Sequence, residues 1–313
     1  MKRLLVGALL VAGMVGGAYA EDDMSIQLDD TFVKAKTWLS QQNLTLTGSP
    51  SGRDDNAAFS QENILFYGEA VASANPNLSQ AQREMGAKRA AVVTAQRAVA
   101  EYLNGFALVG DTLVKDGVLE SDLIRSAVTG TVKGVQIVVQ EYSKEKETAV
   151  AIVKVGMHGP KGFASSMYEK MFKDPELKSS LTEVDGKPAP KFKAKVERLP
   201  ESYDGLIVDA TEQNFRPALI NRIFSAKNEL LYDPSKVSQK VLVEQGCGEY
   251  TNSVEKAKAA LEARGIKNPL VVKASGTVSA ADLQVTDEDA VTIFSANQKG
   301  NFLAGAKVAF VLK

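Results

Sequence analysis

Three residue types with special chemistry are nearly absent: the 313-residue chain has one cysteine, one histidine and one tryptophan. Cys247 has no partner for an internal disulfide, so stability must come from packed cores. A lone histidine, His158, excludes a multi-histidine metal site, and together with Cys247 it cannot complete a four-ligand zinc site. Charge of one sign is missing too, with 37 basic against 38 acidic residues. That leaves no electrostatic footprint for nucleic acid or an anionic membrane. Aromatics make up 7% and do not alternate with basic residues, so base stacking has no basis. Past the amino terminus no apolar run reaches the roughly 18 residues of a membrane span, so the chain is not expected to be membrane-spanning. There is no P-loop, no dinucleotide glycine fingerprint and no Gly-x-Ser-x-Gly elbow. No metal, no cofactor and no enzyme activity are expected.

The amino terminus is the one biased segment. Lys2 and Arg3 precede an apolar run from Leu4 to Val15, and Ala18-Tyr19-Ala20 supplies a small-x-small cleavage pattern. Residues 1–20 therefore read as a signal peptide cut after Ala20. No cysteine stands near that junction to be acylated. The product is expected to be exported, to the periplasm or in association with the outer membrane.

The remainder divides into an N-terminal extension (21–62), a first domain (63–157), a Pro/Lys-rich linker (158–202) and a C-terminal domain (203–313). In the extension, Asp29-Asp30 can start a short helix, and Trp38 reads as an anchor onto the next domain. The first domain is organised around residues 79–104. Ser79 with Gln82 makes a capping box. Met85, Val92 and Val99 recur every seven residues on one apolar face. Seven alanines (Ala81, Ala87, Ala90, Ala91, Ala95, Ala98 and Ala100) keep this helix thin enough to lie close on a sheet. The spacing predicts strands at 64–73 and 106–114, a short helix at 121–128 and a hairpin of 131–142 with 148–156. In that hairpin Ala149, Ala151, Val153 and Val155 line one face, as a sheet covered on one side requires. The linker carries five of the ten prolines, with a helical turn or two at 163–172. In the C-terminal domain, strands are expected at 205–210, 269–274 and 306–312, a hairpin at 218–232, and helices at 253–264 and 286–297. The fold class is α+β: two small domains, each an antiparallel-rich sheet with helices packed on one face.

Candidate chemistry is sparse. His158 beside the linker reads as a surface residue. Cys247 reads as a small buried thiol, with an intermolecular disulfide as the other reading. Asp209 and Arg216 could form a buried ion pair after a strand, or supply a carboxylate for acid/base work. Asp282, Asp287, Glu288 and Asp289 lack the spacing of a calcium loop and suit helix capping. Arg83, Arg89 and Arg97 form a solvated helix edge and are the place to look first for a subunit contact.

Three stretches carry a resemblance. They are the Arg/Ala pattern of the long helix (Arg83, Lys88-Arg89-Ala90-Ala91, Gln96-Arg97-Ala98), then Gly130-Thr131-Val132-Lys133-Gly134-Val135 leading into the hairpin, and a C-terminal set. That set is Tyr203 to Ala210, Arg216-Pro217-Ala218-Leu219 and Asn268 to Ala274. Residues 63–157 resemble the lipoprotein-20-like family of bacterial envelope proteins, related to flagellar proteins of the FlgT and FlgP types. The resemblance implies a non-catalytic structural or assembly component acting through protein contacts, of the kind that builds rings around the flagellar rod. The missing acylated cysteine fits a soluble FlgT-like role better than an anchored FlgP-like one. The alternative is a periplasmic or outer-surface binding module for cell wall, polysaccharide or an outer-membrane partner.

Overall fold

The computed structural model describes residues 28–49, 52–116, 121–184 and 186–313. The expected signal peptide lies outside them. In chain order the first half comprises α1 (Val33–Gln42), β1 (Gly48–Ser49), β2 (Gly52–Arg53), α2 (Asp55–Ser60), β3 (Asn63–Val71) and α3 (Gln80–Asn104). These are followed by β4 (Ala107–Val109), β5 (Thr112–Leu113), α4 (Asp122–Lys133), β6 (Gln136–Ser143) and β7 (Thr148–Gly156).

The α+β class holds. One five-stranded sheet, ordered β2-β1-β3-β7-β6, forms the first domain, and its long strands β3, β7 and β6 are antiparallel. Helix α3 begins with the capping box: Gln82 N–H donates to Ser79 Oγ, and the Gln82 side chain accepts from the Ser79 N–H. Its buried positions are Ala87, Ala91, Val92, Ala95, Val99, Tyr102 and Leu103. Met85 is exposed, because a seven-residue spacing slips about 20° per repeat around a straight helix. The small residues seat α3 directly on β3 at Gly68, where a Cβ would stand 2.3 Å from both the Ala91 oxygen and the Ala95 nitrogen.

Helices cover both faces of this sheet, not one. Thr148 to Val153 of β7 are all buried. Ala149 and Ala151 meet α3, while Val150 and Ile152 pack with Leu65, Val139, Phe32 and Ala35 under α1. Trp38 leans on that second cluster, as an anchor should. Glu141 of β6 accepts from the backbone N–H groups of Lys34 and Ala35, so a strand residue caps α1 where Phe32 at the N-cap has no side chain to do it. Helix α4 also runs past the expected end at 128. Ile124, Ala127, Val128 and Thr131 continue the three-and-four spacing into the core, and β6 starts only at Gln136.

The 158–202 stretch is not a free linker. It holds α5 (Phe163–Met171), α6 (Pro175–Ser180), β8 (Glu183–Val184) and β9 (Lys187–Pro188). Phe163, Ala164, Met167, Tyr168 and Met171 are all buried. Five apolar or aromatic side chains on one short helix demand a core, and α5 finds it between α4 and the second domain.

That domain comprises β10 (Gly205–Asp209), β11 (Arg222–Phe224), β12 (Leu230–Tyr232), α7 (Gln239–Gln245), β13 (Glu249–Thr251) and α8 (Val254–Ala263). Next come β14 (Pro269–Lys273), β15 (Gly276–Ser279), β16 (Asp282–Gln284), α9 (Asp287–Gly300) and β17 (Val308–Val311). The antiparallel-rich expectation fails here. The sheet β13-β17-β10-β14 is parallel throughout, with Leu206 opposite Leu270 on one side and Val308 on the other. Its central strand is apolar at consecutive positions because both faces are covered: Ile207 meets Ala257 and Leu261 of α8, while Leu206 and Val208 join the main core. A second sheet, β12-β11-β16-β15, is mixed.

One core runs from Ala58 to Leu312 and joins the two domains. The β4–β5 hairpin inserts into the second: Leu219 and Ile220 N–H groups donate to the carbonyls of Ala107 and Leu108. Beside it Arg222 (4% exposed) and Asp282 (1%) form a bidentate buried pair at 2.9 and 2.6 Å. The same guanidinium donates to the carbonyls of Leu181 and Glu183, drawing in the connecting segment.

Candidate functional site

An open cleft of about 810 Å³ lies where the first sheet, α4 and α5 converge. The end of β7 contributes Lys154, the only charged residue of that strand, with Gln136 of β6 directly across from it in the ladder. Asn63 opens β3 alongside; its amide nitrogen is committed to the Gln61 carbonyl, which leaves its oxygen free of that bond. The loop after β7 brings His158 and Lys161, and α5 adds Ser166. Met157 anchors this loop: it is buried, its N–H donates to the Glu62 carbonyl, and its carbonyl accepts from Ala164 and Ser165. Among the described residues no carboxylate side chain lines the cleft. Lys154 and Lys161 are in no ion pair among the described residues.

His158 is not the surface residue expected from its place beside the linker. It is partly buried, and its Nδ1 is enclosed with no hydrogen-bond partner among the described residues. Its ring sits on Gly246 of the second domain, where a Cβ would fall 2.7 Å from Cε1; at φ +73° that position also suits glycine. Burial first, and the nearby Arg264 charge second, hold its pKa down at about 4. The folded state therefore keeps His158 neutral, while the unfolded chain protonates near pH 6.5. The linked stability is complete above about pH 6.5, falls as pH drops toward 4, and changes no further below that. Between pH 7.5 and 4.5 this site should cost roughly 2 kcal/mol, and His158→Gln should remove that part of the loss in urea titrations at the two pH values. An unchanged pH slope in the variant would refute this.

The remaining candidates resolve into structural roles. Cys247 is buried, its Sγ 3.4 Å from the Leu219 carbonyl oxygen and 3.3 Å from Tyr250 Oη, and burial pushes the thiol pKa up. Such a buried thiol is a poor nucleophile and is enclosed away from any intermolecular disulfide. The expected Asp209–Arg216 ion pair does not form. Asp209 instead accepts from the Thr211 N–H and hydroxyl, closing its own turn, and Arg216 Nε is buried with no hydrogen-bond partner among the described residues. The acidic cluster disperses: Asp282 goes to Arg222, Asp287 to Lys227 at 3.0 Å, and Asp289 bonds the Thr286 hydroxyl at the start of α9. Among the described residues no three His, Cys, Asp or Glu side chains are placed to hold a metal ion.

Residues 205–313 match a family model described as the second domain of Treponema pallidum Tp0624. The matched stretch begins at β10 and includes no cleft-lining residue. No curated protein matches the chain.

The α3 arginines separate. Arg83 pairs with Glu147 at 3.4 Å in the β6–β7 turn and so helps close the fold. Arg89 and Arg97 are exposed. With Met85 (66% exposed) and Val93 (40%) they form one line at four-residue spacing, so apolar and guanidinium groups alternate along the outer face of α3. No helix among the described residues is long and apolar enough to cross a membrane.

Proposed function

We propose that the protein is a non-enzymatic, exported envelope component that works through protein contacts, with self-association through the outer face of α3 as the principal contact. What supports this reading is the line Met85–Arg89–Val93–Arg97. A monomer gains nothing by exposing large apolar side chains between arginines, whereas methionine and arginine are enriched where surfaces pair. The rigid body behind that face, two domains on one core, suits a building block better than a hinged enzyme. The cleavage pattern at Ala18-Tyr19-Ala20 supports export, and the family resemblance of the first domain suggests a ring of the flagellar basal body as the setting.

Light scattering on the purified mature protein should find an oligomer. Arg89→Glu with Arg97→Glu should return it to monomer, with circular dichroism and melting temperature unchanged. A strictly monomeric wild type that yields no crosslinked envelope neighbour in cells would sink the reading. Loss of the gene with intact motility and basal-body rings would sink its flagellar form.

A further inference from the structure

Four glycines line the cleft; Gly162 lies against the backbone of Met157 and His158, and the other three are less constrained. Gly130 lies inside α4, where glycine costs about 1 kcal/mol against alanine, yet nothing stands within 4 Å of an added Cβ. Gly134, at φ −92°, would meet only helix carbonyls at 3.2 and 3.6 Å, and Gly156 only the His158 carbonyl at 3.6 Å. None of the three has a positive φ. Gly134 closes α4 as its C-cap, but neither strain nor packing explains Gly130 and Gly156; all three stand on the cleft wall. Their effect is to keep open a space of about 810 Å³, inside the roughly 300–1,000 Å³ typical of small-ligand sites.

The lining specifies what would fill it. Lys154 and Lys161 bring positive charge that no lining carboxylate offsets. Gln136, Asn63 and Ser166 add neutral hydrogen-bonding groups suited to hydroxyls. Among the described residues no phenylalanine, tyrosine or tryptophan lines the space, so a neutral sugar lacks its usual stacking platform and charge must do the selecting.

We propose that this cleft binds a hydroxylated anion, a small molecule or polymer end bearing carboxylate or phosphate groups, held by Lys154 and Lys161 over the glycine-lined end of α4. Anion binding here does not depend on the assembly contact assigned to α3.

Titration calorimetry on the mature protein with trigalacturonate, glucose 6-phosphate and maltotriose tests it. At least one of the two anions should bind, and which one tells carboxylate from phosphate; neutral maltotriose should not. Lys154→Gln and Lys161→Gln should each weaken that binding about tenfold, the loss of one charge-assisted contact. Gly130→Gln should abolish it while leaving the melting temperature equal or higher, because glutamine is a better helix former than glycine. That combination separates a blocked site from a damaged fold. Failure of both anions at millimolar concentration overturns the proposal, as does equal binding of maltotriose or full binding by Gly130→Gln.

Discussion

Asp282→Ala should destabilise the protein by about 3–5 kcal/mol in urea denaturation, the cost of leaving one member of a buried ion pair without its partner. Both side chains are almost wholly enclosed, and Asp282 also accepts from the Ser279 hydroxyl at 2.8 Å. Removal of the carboxylate strands a guanidinium whose other bonds, to the Leu181 and Glu183 carbonyls, are neutral and cannot replace the charge. The pair itself need not be strongly favourable. Arg222→Met combined with Asp282→Leu should cost clearly less than the two single changes added together, since no charge remains unpaired. Trp38 gives a second readout. It is carried by α1 and packs on the first domain's sheet, far along the chain from residue 282. Because one core joins the domains, Asp282→Ala should shift its fluorescence transition together with the circular dichroism transition. Separate transitions, or a loss under about 1 kcal/mol, would refute the role assigned to this node.

Gly68→Ala should cost about 3 kcal/mol, at the upper end for overpacking in a core. The new methyl would meet backbone of α3 at 2.3 Å on two sides, and no rotamer change can move a backbone atom away. Relief requires lifting α3 off β3 and opening the contacts of Ala91 and Ala95. Gly86→Ala, on α3 itself, is the matched control. Nothing lies within 4 Å of its added Cβ, so it should stabilise by roughly 0.5–1 kcal/mol through helix propensity alone. Thermal melts of the two variants should move in opposite directions; equal shifts would show that α3 does not rest on β3 as described.

The elements that were legible before the structure are those with local causes. Ser79 and Gln82 announce the start of α3 three residues apart, and both halves of the capping box form. The hairpin expected at 218–232 turns at Asn228, at φ +59°, joining β11 to β12. The site was less legible. Lys154 did carry a signal, as the single charge in an otherwise apolar strand, and Gly130 carried another, though it reads equally as a helix stop. What could not be read was that these two, His158 and Lys161 meet around one space.

Alone, the sequence determined the α+β class, the capped start of α3 and the places of strands β3, β7, β10 and β14. Those follow from side-chain period, caps and turns, which act over a few residues. The tertiary structure decided which strands are parallel, that α1 closes the second face of the first sheet, that α5 belongs to the core, and that Arg222 pairs with Asp282 rather than Arg216 with Asp209. Each of these is a choice among distant partners that look alike in composition. The apolar run Gly205 to Val208 pairs equally well in either direction until β14 and β17 settle on its two edges, and a buried arginine takes whichever carboxylate the packing delivers.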